Sequence, residues 1–363
     1  MYRSSLERTF IIAEAGVNHN GSIEMACALV DVAAASGADA VKFQTFKATE
    51  VICQHAPKAD YQKLTTSAGE SQLAMVQRLE LSESDHRILI NHAKTKKIEF
   101  LSAPFDLPSL RLLIDHFRLS TIKVPSGEIT NGPFLLEVAR TGRKIILSTG
   151  MSTLGEVETA LGVLAFGYTR DREAKPGSKA FLIAFASDVG QAALREYVSL
   201  LHCTTEYPAP YTEVNLRAMD TLANAFGLPV GLSDHTIGIH IPIAAVARGA
   251  KIIEKHFTLD KSLPGPDHTA SLKPTELEQM VKAIREVEMA LGDGVKRPTA
   301  SELKNRDIAR KSLVAAKHIL HGQVLETQDV AIKRPGTGLS PMCYWDYLGA
   351  EADRDYWVDE MLA

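Results

Sequence analysis

The sequence predicts an α/β protein: a (β/α)8 TIM barrel followed by a small β-rich module. Its 363 residues exceed one ordinary domain and suit a barrel of about 250 residues with a short appendage. Short runs rich in Val, Ile, Leu and Phe are apolar throughout rather than alternating, which is typical of parallel strands covered on both faces. Helical patterns separate these runs, and a repeated strand-helix alternation favours a closed barrel. A doubly wound open sheet is the alternative.

The predicted strands and helices follow one another along most of the chain. The strands cover residues 10–16, 40–46, 99–105, 121–128, 144–150, 198–204, 229–235 and 251–257. Ser22 is suited to cap the first helix and Gly37 to end it, and another apolar stripe at helical spacing covers 275–291. The interval 167–196 is long for one connection and contains its own apolar run, 180–186. We expect a strand-like or helical insertion there, to which no role is assigned.

The chain changes character after Leu291. Residues 292–301 are rich in Gly, Pro and charge, which predicts a linker over 292–308 between a catalytic barrel over 1–291 and a C-terminal domain over 309–363. Short strands are predicted at 312–316 and 330–334, with a turn at His321 and Gly322. Because so small a domain has little core of its own, we expect it to dock on the barrel or on a partner subunit.

Composition argues against several classes of partner. The formal net charge is -4, with 45% hydrophobic and 23% charged residues, so there is no basic excess of the kind that nucleic acids or anionic membranes require. No apolar run approaches the roughly 18 residues that span a bilayer, and residues 1–9 contain no apolar signal region. The four cysteines lack C-x-x-C spacing, which suits reduced thiols. We therefore expect a cytoplasmic protein without nucleic-acid or membrane partners.

Polar side chains finish most of the predicted strands, where catalytic groups of this fold lie. The candidates by position are Glu14, Lys42, Gln44, Lys123, Ser126, Glu128, Ser148, Tyr207, Ser233, Asp234, Glu254 and Lys255. Lysines at two strand ends and serines at three strand ends match a dianionic phosphate better than a neutral ligand. Any one of them could instead satisfy loop carbonyls. The converging set predicts a small acidic substrate.

Two histidines end what should be adjacent strands. His235 and His256 can therefore reach one point, with carboxylates and waters in the other positions around a divalent ion, which favours an open catalytic metal site. Taken singly, each histidine is more often a hydrogen-bonded barrel residue. The loop over 264–268 contains two prolines and could present Asp267 over the barrel mouth, or form a rigid surface turn.

These same residues lie in motifs that are similar to those of a known family. The motifs include Gly231-Leu232-Ser233-Asp234-His235-Thr236 and Glu254-Lys255-His256-Phe257-Thr258, together with 14–21, 41–45, 123–128, 147–151, 202–204, 207–208 and 264–267. In this order they resemble the sialic acid synthase family, and residues 312–336 resemble its antifreeze-like (SAF) domain. The resemblance covers nearly the whole chain.

The resemblance implies a metal-dependent transferase of nonulosonic acid biosynthesis. It would condense phosphoenolpyruvate with N-acetylmannosamine and water to give N-acetylneuraminate and phosphate, with C–O cleavage. The alternative acceptor is 2,4-diacetamido-2,4,6-trideoxymannose, which would give N,N'-diacetyllegionaminate. A non-catalytic carbohydrate-binding protein is a remote alternative, but it would not need Lys42, Lys123, His235 and His256 together at four strand ends. A metal-dependent aldolase or hydrolase would need no phosphoenolpyruvate site.

The resemblance also assigns roles to individual residues. His235 and His256 would bind the divalent metal, for which we expect Mn²⁺. Lys42, Lys123, Ser126, Ser148 and Ser233 would bind phosphoenolpyruvate; Gln44, Tyr207 and Asp267 would face the sugar; and Glu14, Glu128 and Glu254 would handle protons or hold water. Water must lose a proton when it adds to the substrate, and Glu14 is our first choice for the base.

The resemblance further implies a domain-swapped homodimer, in which Arg334 reaches the N-acetyl group of the sugar in the barrel of a second subunit. An ordinary surface arginine is the alternative. Two positions depart from the family pattern: Ala103 stands where some members have threonine, and Thr205 lies near the position of an asparagine. Hydrogen bonds to phosphoenolpyruvate are expected to be redistributed accordingly.

Overall fold

The computed structural model describes residues 8–59, 62 and 70–363. Residues 1–7, part of the N-terminal stretch considered above, lie outside the described residues. The chain divides into two compact units, one ending at Gly292 and the other running from Asp293 to Ala363.

The first unit contains the predicted barrel of parallel strands. They are β1 (Phe10–Gly16), β2 (Ala40–Thr45), β3 (Glu99–Pro104), β4 (Thr121–Val124), β5 (Lys144–Ser148), β6 (Val198–Cys203), β7 (Val230–Asp234) and β8 (Ile252–His256). Their order is β3-β2-β1-β8-β7-β6-β5-β4, with each neighbouring pair joined by hydrogen bonds. The two strands at the ends of this order, β3 and β4, are not joined by a hydrogen-bonded ladder among the described strands, so the barrel is nearly closed. This confirms the TIM-barrel prediction.

Alternation along the strands separates two apolar layers. Inward-facing side chains near the N-terminal ends fill the barrel interior, with Ile12, Ala40, Leu101, Ile146, Leu201 and Ile252 in one cluster. Outward-facing residues such as Ile11, Val41 and Leu232 join the main core between strands and helices. Because successive strand residues point to opposite faces, the inward positions two and four residues beyond this plug reach the C-terminal mouth of the barrel.

Helices follow the strands and cover the barrel. They are Ile23–Ala35, Ala48–Val51, Gln72–Gln77, Glu83–Thr95, Leu107–Arg111, Gly132–Arg140, Leu154–Thr169, Ser178–Ala186, Asp188–Tyr197, Arg217–Phe226, His240–Ala247 and Pro274–Leu291. Ser22 caps the first helix by accepting a hydrogen bond from the Met25 amide at 3.1 Å. Gly37 follows its end with φ of +77°, a left-handed conformation that favours glycine. None of the helices in the described part of the chain is both long and apolar enough to cross a membrane.

The interval 167–196 consists of helices and a loop over 170–177. Its apolar run forms the helix Ser178–Ala186, and a further helix, Asp188–Tyr197, leads directly into β6. Phe181 packs edge-on against Phe166 of the preceding helix, with ring centroids 5.4 Å apart. The insertion therefore adds a helical layer outside the barrel rather than a strand.

The second unit has its own small core. Strands β9 (Ser312–Ala315) and β10 (Val330–Lys333) pair antiparallel, and the buried cluster consists of Leu313, Ala315, Ile319, Leu325, Val330, Ala352, Tyr356 and Leu362. The helix Ala300–Ala309 occupies part of the stretch that we expected to be a linker, and none of its residues is buried within the described chain. A short helix, Tyr344–Tyr347, completes the unit.

Candidate active site

Strand register brings the predicted polar residues of four neighbouring strands together. In the parallel ladders, Glu14 of β1 pairs with Lys42 of β2 and with His256 of β8. Ser233 of β7 pairs with Glu254 of β8. These side chains point into the barrel above the apolar plug, and all of them are at least nine-tenths buried. The C-terminal mouth of the barrel therefore has a buried floor that is lined with charged side chains.

Two lysines and two glutamates form a continuous ion-pair network on this floor. The Lys42 Nζ lies 2.6 Å from Glu14 Oε2 and 3.5 Å from Glu254 Oε2. The Lys123 Nζ reaches the other Glu254 oxygen, Oε1, at 3.2 Å. Ser233 Oγ donates a hydrogen bond of 2.7 Å to the same oxygen. Glu254 therefore holds both ammonium groups and one hydroxyl in a fixed array.

The two glutamates differ in their affinity for protons. Burial raises the pKa of Glu14 to about 7, although Lys42 opposes this increase and Glu254 adds to it. Burial also acts on Glu254, but Lys123 and Lys42 outweigh it and hold the pKa of that carboxyl well below its usual range. Burial lowers the pKa of Lys42, yet Glu14 and Glu254 prevail and raise it overall. Glu254 is thus a permanent anion, whereas Glu14 can exchange a proton near neutral pH.

Serine hydroxyls near the charged floor add further groups that could bind an anion. The Ser148 Oγ is buried and has no hydrogen-bond partner among the described residues. Ser126 Oγ accepts a hydrogen bond of 3.0 Å from the Gly150 amide and lies 3.1 Å from Cys203 Sγ. A buried hydroxyl without a partner is costly unless a ligand or water satisfies it, so Ser148 is suited to bind a substrate oxygen.

Sequence reasoning overlooked the role of Gly150 and identified Thr205 only as a departure from the family pattern. A Cβ atom on Gly150 would lie 2.5 Å from Thr205 Oγ1 and 2.8 Å from both Ser126 Oγ and Cys203 Sγ. The Thr205 Oγ1 is buried and has no hydrogen-bond partner in the described part of the chain. Only glycine leaves room for this hydroxyl cluster. The signal available beforehand was weak: glycine directly follows the Ser148-Thr149 pair at a strand end.

The two histidines approach each other from β7 and β8, as predicted. Their ring centroids are 5.6 Å apart, and burial lowers the pKa of His235 to about 4 and that of His256 well below its usual value. Both rings are therefore neutral at physiological pH. The His235 Nδ1 lies 2.6 Å from the Thr204 carbonyl, which can only accept, so Nδ1 carries the proton and Nε2 presents a lone pair.

This arrangement fits a divalent metal ion. The His256 Nδ1 is buried and has no hydrogen-bond partner among the described atoms, so it is available to a ligand. His235 donates from one ring nitrogen to a carbonyl, which is the usual form of a histidine that binds a metal through its other nitrogen. The Asp267 Oδ2 lies 3.9 Å from His256 Nδ1, and burial raises the pKa of Asp267 to about 6. Three or more His, Cys, Asp or Glu side chains do not converge on one metal position anywhere among the described residues, so the fit rests on the histidine pair.

The predicted sugar residues border a cavity of about 250 Å³ beside the histidines. Gln44, Gln62, Tyr207, His256 and Asp267 form its polar side. The Tyr207 ring stacks on His235 with centroids 4.2 Å apart, and Gln44 Nε2 donates a long hydrogen bond of 3.5 Å to Glu14. The remaining wall is mostly apolar and includes Val17, Phe46, Val51, Ile52, Met75, Val76, Leu79, Phe105 and Pro266.

Two predicted site residues are not part of this assembly as described. Glu128 ends a short 3-10 turn after β4 and accepts a hydrogen bond of 2.7 Å from Asn131; burial raises its pKa. Among the described ion pairs, none joins Glu128 to Lys42 or Lys123. Arg334 follows β10 in the second unit, and its side chain is exposed there. The roles of both residues remain predictions.

Comparison with known proteins agrees with this geometry. A model of the NeuB family matches residues 29–296. The chain belongs to the NeuB family. It is 52% identical to the N,N'-diacetyllegionaminic acid synthase of Campylobacter jejuni, over 98% of this chain and 99% of the relative. A protein of the same name from Legionella pneumophila is 45% identical over 93% of this chain and 89% of its own length.

A solved structure supports the same assignment. The crystal structure of an N-acetylneuraminic acid synthetase from Leptospira borgpetersenii, in complex with citrate, matches with a TM-score of 0.65 and 30% identity, over 84% of this chain and 94% of that one. The family resemblance found in the motifs is thus confirmed. This NeuB protein is a phosphoenolpyruvate-dependent nonulosonic acid synthase, and NeuB enzymes generally use a divalent metal ion.

Proposed function

We propose that this NeuB protein is an N,N'-diacetyllegionaminate synthase. It condenses phosphoenolpyruvate with 2,4-diacetamido-2,4,6-trideoxymannose and water, and it releases phosphate. The motif resemblance places N-acetylmannosamine first and this sugar second, whereas the two relatives described above, at 52% and 45% identity, favour the second. The apolar wall of the sugar-side cavity supports the same choice.

The apolar character of the cavity wall is the main support for this proposal, because the two acceptor sugars differ mainly in polarity. The diacetamido sugar has a methyl group at C6 and a second acetamido group at C4, where N-acetylmannosamine has hydroxyls. Hydroxyls placed against Phe46, Val76 and Phe105 would lose hydrogen bonds to water without replacement. Methyl groups would instead gain buried apolar contact, which is worth about 0.8 kcal/mol per buried carbon.

The charged floor would bind phosphoenolpyruvate. Lys42 and Lys123 supply two ammonium groups, and Ser126, Ser148 and Ser233 supply hydroxyls around them. Their charge is partly neutralised by Glu254, whose position between the lysines keeps them apart in a defined geometry. Charge-assisted hydrogen bonds of this kind are short and strong, and they suit carboxylate and phosphate oxygens.

The reaction requires one proton acceptor at a defined place. The enol π electrons of phosphoenolpyruvate form the new bond from C3 to the aldehyde carbon of the sugar, which leaves C2 cationic. Water adds to C2, and the Glu14 carboxylate accepts one of its protons, which balances the proton taken up by the aldehyde oxygen as that oxygen becomes a hydroxyl. The tetrahedral intermediate then expels phosphate by cleavage of the bond between C2 and the phosphate oxygen, and the remaining hydroxyl proton at C2 leaves with the phosphate. The Glu254 carboxylate stabilises the cation at C2, and Glu128 is a candidate for ordering water.

The remaining residues would orient the sugar. A divalent ion held by His235 and His256, Mn²⁺ by our prediction, polarises the aldehyde oxygen when it is bound. Gln44 and Asp267 offer polar groups toward the sugar, and Tyr207 restrains the His235 ring by stacking on it. Gln44 also contacts Glu14, so it links the sugar position to the base.

The complete enzyme would be a domain-swapped homodimer in which Arg334 contacts the N-acetyl group across subunits. Arg334→Ala is expected to increase the KM for the sugar at least tenfold while changing the KM for phosphoenolpyruvate less than threefold, since one charge-assisted hydrogen bond is worth about 1.5–3 kcal/mol. Steady-state kinetics with each substrate varied in turn tests this role. Equal increases in both KM values would contradict it.

The test of the acceptor is phosphate release by metal-stripped protein to which Mn²⁺ has been restored. Phosphoenolpyruvate is supplied with either N-acetylmannosamine or the diacetamido trideoxy sugar, and kcat/KM is compared. We expect the second sugar to be preferred at least tenfold, which corresponds to about 1.4 kcal/mol in transition-state binding. Preference for N-acetylmannosamine would identify an N-acetylneuraminate synthase, and release with neither sugar would overturn both assignments.

A further inference from the structure

A buried ion pair lies behind the histidines, on the opposite face of their strands. Ser233 and His235 of the β7 end point into the barrel, and Asp234 between them points outward; on β8, Glu254 and His256 flank the outward-facing Lys255. Asp234 and Lys255 are direct partners in the β7–β8 ladder. Both are fully or almost fully buried.

Hydrogen bonds of the Asp234–Lys255 pair involve the residues on both sides of His235. The Lys255 Nζ lies 2.5 Å from Asp234 Oδ2 and also donates to the Thr236 carbonyl. Asp234 accepts hydrogen bonds from the Thr236 amide at 3.1 Å and from the Thr236 hydroxyl at 3.0 Å. The residues before and after His235 are therefore held by one ammonium group, and that group belongs to the residue before His256.

The position of the pair is unusual for the outer face of a barrel strand. The residues two positions earlier on the same faces, Leu232 and Ile253, belong to the apolar core between strands and helices. Burying an ammonium and a carboxylate carries a large desolvation penalty before their attraction is counted, and apolar residues of similar volume are often at least as stable. Stability alone is therefore a poor explanation for this pair.

We propose that Lys255 and Asp234 are positioning residues that hold His235 and His256 at the separation that metal binding requires. We call the Asp234–Lys255 pair the clamp. The clamp joins the last residue of β7 to the penultimate residue of β8, so the 5.6 Å spacing of the two imidazole rings is established before a metal ion binds. Neither residue faces the barrel interior, so neither would contact substrate. The inference rests on the metal site of the proposed function.

The clamp can be tested by measuring Mn²⁺ affinity directly, without catalysis. Free Mn²⁺ is titrated by electron paramagnetic resonance against metal-free full-length protein, for the unaltered chain, Lys255→Met, Asp234→Asn and the double variant. We expect each single change to increase the Kd for Mn²⁺ about 10–100-fold, the range found for residues that support metal ligands. Because the two residues act as one unit, the double variant should show about the same increase as either single variant.

A matched control separates this role from a general loss of stability. Arg285 forms a mostly buried ion pair with Asp39, 2.7 Å apart, near the start of β1. Arg285→Met should lower Tm but change the Kd for Mn²⁺ less than about threefold. The double variant removes both charges of the clamp, so it tests the proposal even if Lys255→Met alone fails to fold.

Two results would overturn the clamp. If the double variant binds Mn²⁺ within about threefold of the unaltered chain, or if Arg285→Met weakens binding as much as the clamp variants do, the pair is merely structural. A third result concerns the metal itself: if the unaltered chain binds no Mn²⁺, the metal assignment in the proposed function fails, and the clamp fails with it.

Discussion

The two sides of the barrel mouth differ in how they would select a ligand. On the phosphoenolpyruvate side, Lys42, Lys123, Glu14 and Glu254 form buried ion pairs of 2.6–3.5 Å. On the sugar side, apolar side chains such as Phe46 and Phe105, whose rings meet edge-on at 6.0 Å, line most of the cavity. One side would recognise charge, and the other would recognise shape and polarity.

The origin of the two sides explains this difference. The charged residues lie on strands, where the ladder register specifies which face each side chain occupies. The apolar wall comes largely from connections and from the short helix Gln72–Gln77, which contributes Met75 and Val76. Loops tolerate change better than barrel strands. The strands would therefore set the chemistry, and the connections would set the choice of acceptor.

Removing His235 or His256 should cause the largest loss of activity, because the reaction between the two substrates requires an activated sugar aldehyde. His235→Ala or His256→Ala is expected to reduce kcat at least about 10³-fold, since a metal contributes several kcal/mol to such a reaction. Circular dichroism should show an intact fold. Near-normal phosphate release by either variant would contradict the metal assignment.

Lys123→Met should damage the charged side selectively. Removing one partner of a buried charge pair costs about 2–5 kcal/mol, so kcat/KM for phosphoenolpyruvate should decrease at least about 30-fold. The KM for the sugar should change much less. Lys47→Met is the matched control, because Lys47 pairs with Glu80 at 3.5 Å with half of its side chain exposed; this change should leave both KM values unaltered. An equal effect on both substrates would show that Lys123 does not discriminate between them.

The pH profile should reveal the proton acceptor on the charged side. Because Glu14 must be deprotonated to accept a proton and its pKa is raised to about 7, kcat/KM should rise about tenfold per pH unit below that value and level off above it. Glu14→Gln should lower the rate and remove this inflection. Glu128→Gln, a control at another carboxyl with a raised pKa, should retain it. An inflection near 7 that persists in Glu14→Gln would exclude Glu14 as the base.

The smallest expected effect lies on the apolar side. Val76→Thr replaces a methyl group of the cavity wall with a hydroxyl of nearly the same volume. We expect kcat/KM for the diacetamido sugar to decrease about fivefold, or about 1 kcal/mol, with a smaller change for N-acetylmannosamine. Val76→Ile, which keeps the wall apolar, is the control. A greater loss for N-acetylmannosamine would place the hydroxyl-bearing part of the sugar against this wall.

Much of the charged side could be predicted from the sequence. Apolar runs ending in Lys42, Lys123, Glu254 and His256 indicated strands, and the barrel fold places strand ends around one mouth. Gly150 escaped notice, and so did its contact with Thr205, because a cluster formed by a glycine and hydroxyls from different strands leaves no pattern along the chain. The apolar wall escaped for the same reason, since Val17, Val76 and Phe105 come from three separate connections.

The sequence by itself determined the barrel, because the period of its apolar runs and helical stripes is a local property, and it determined which residue types finish the strands. Only the tertiary structure decided which of them meet. It paired Glu254 with two lysines, it gave Glu14 a pKa of about 7, and it joined Asp234 to Lys255 behind the histidines. Ion pairing and desolvation depend on distances of a few ångströms between residues remote in the chain, and these distances exist only after the barrel closes.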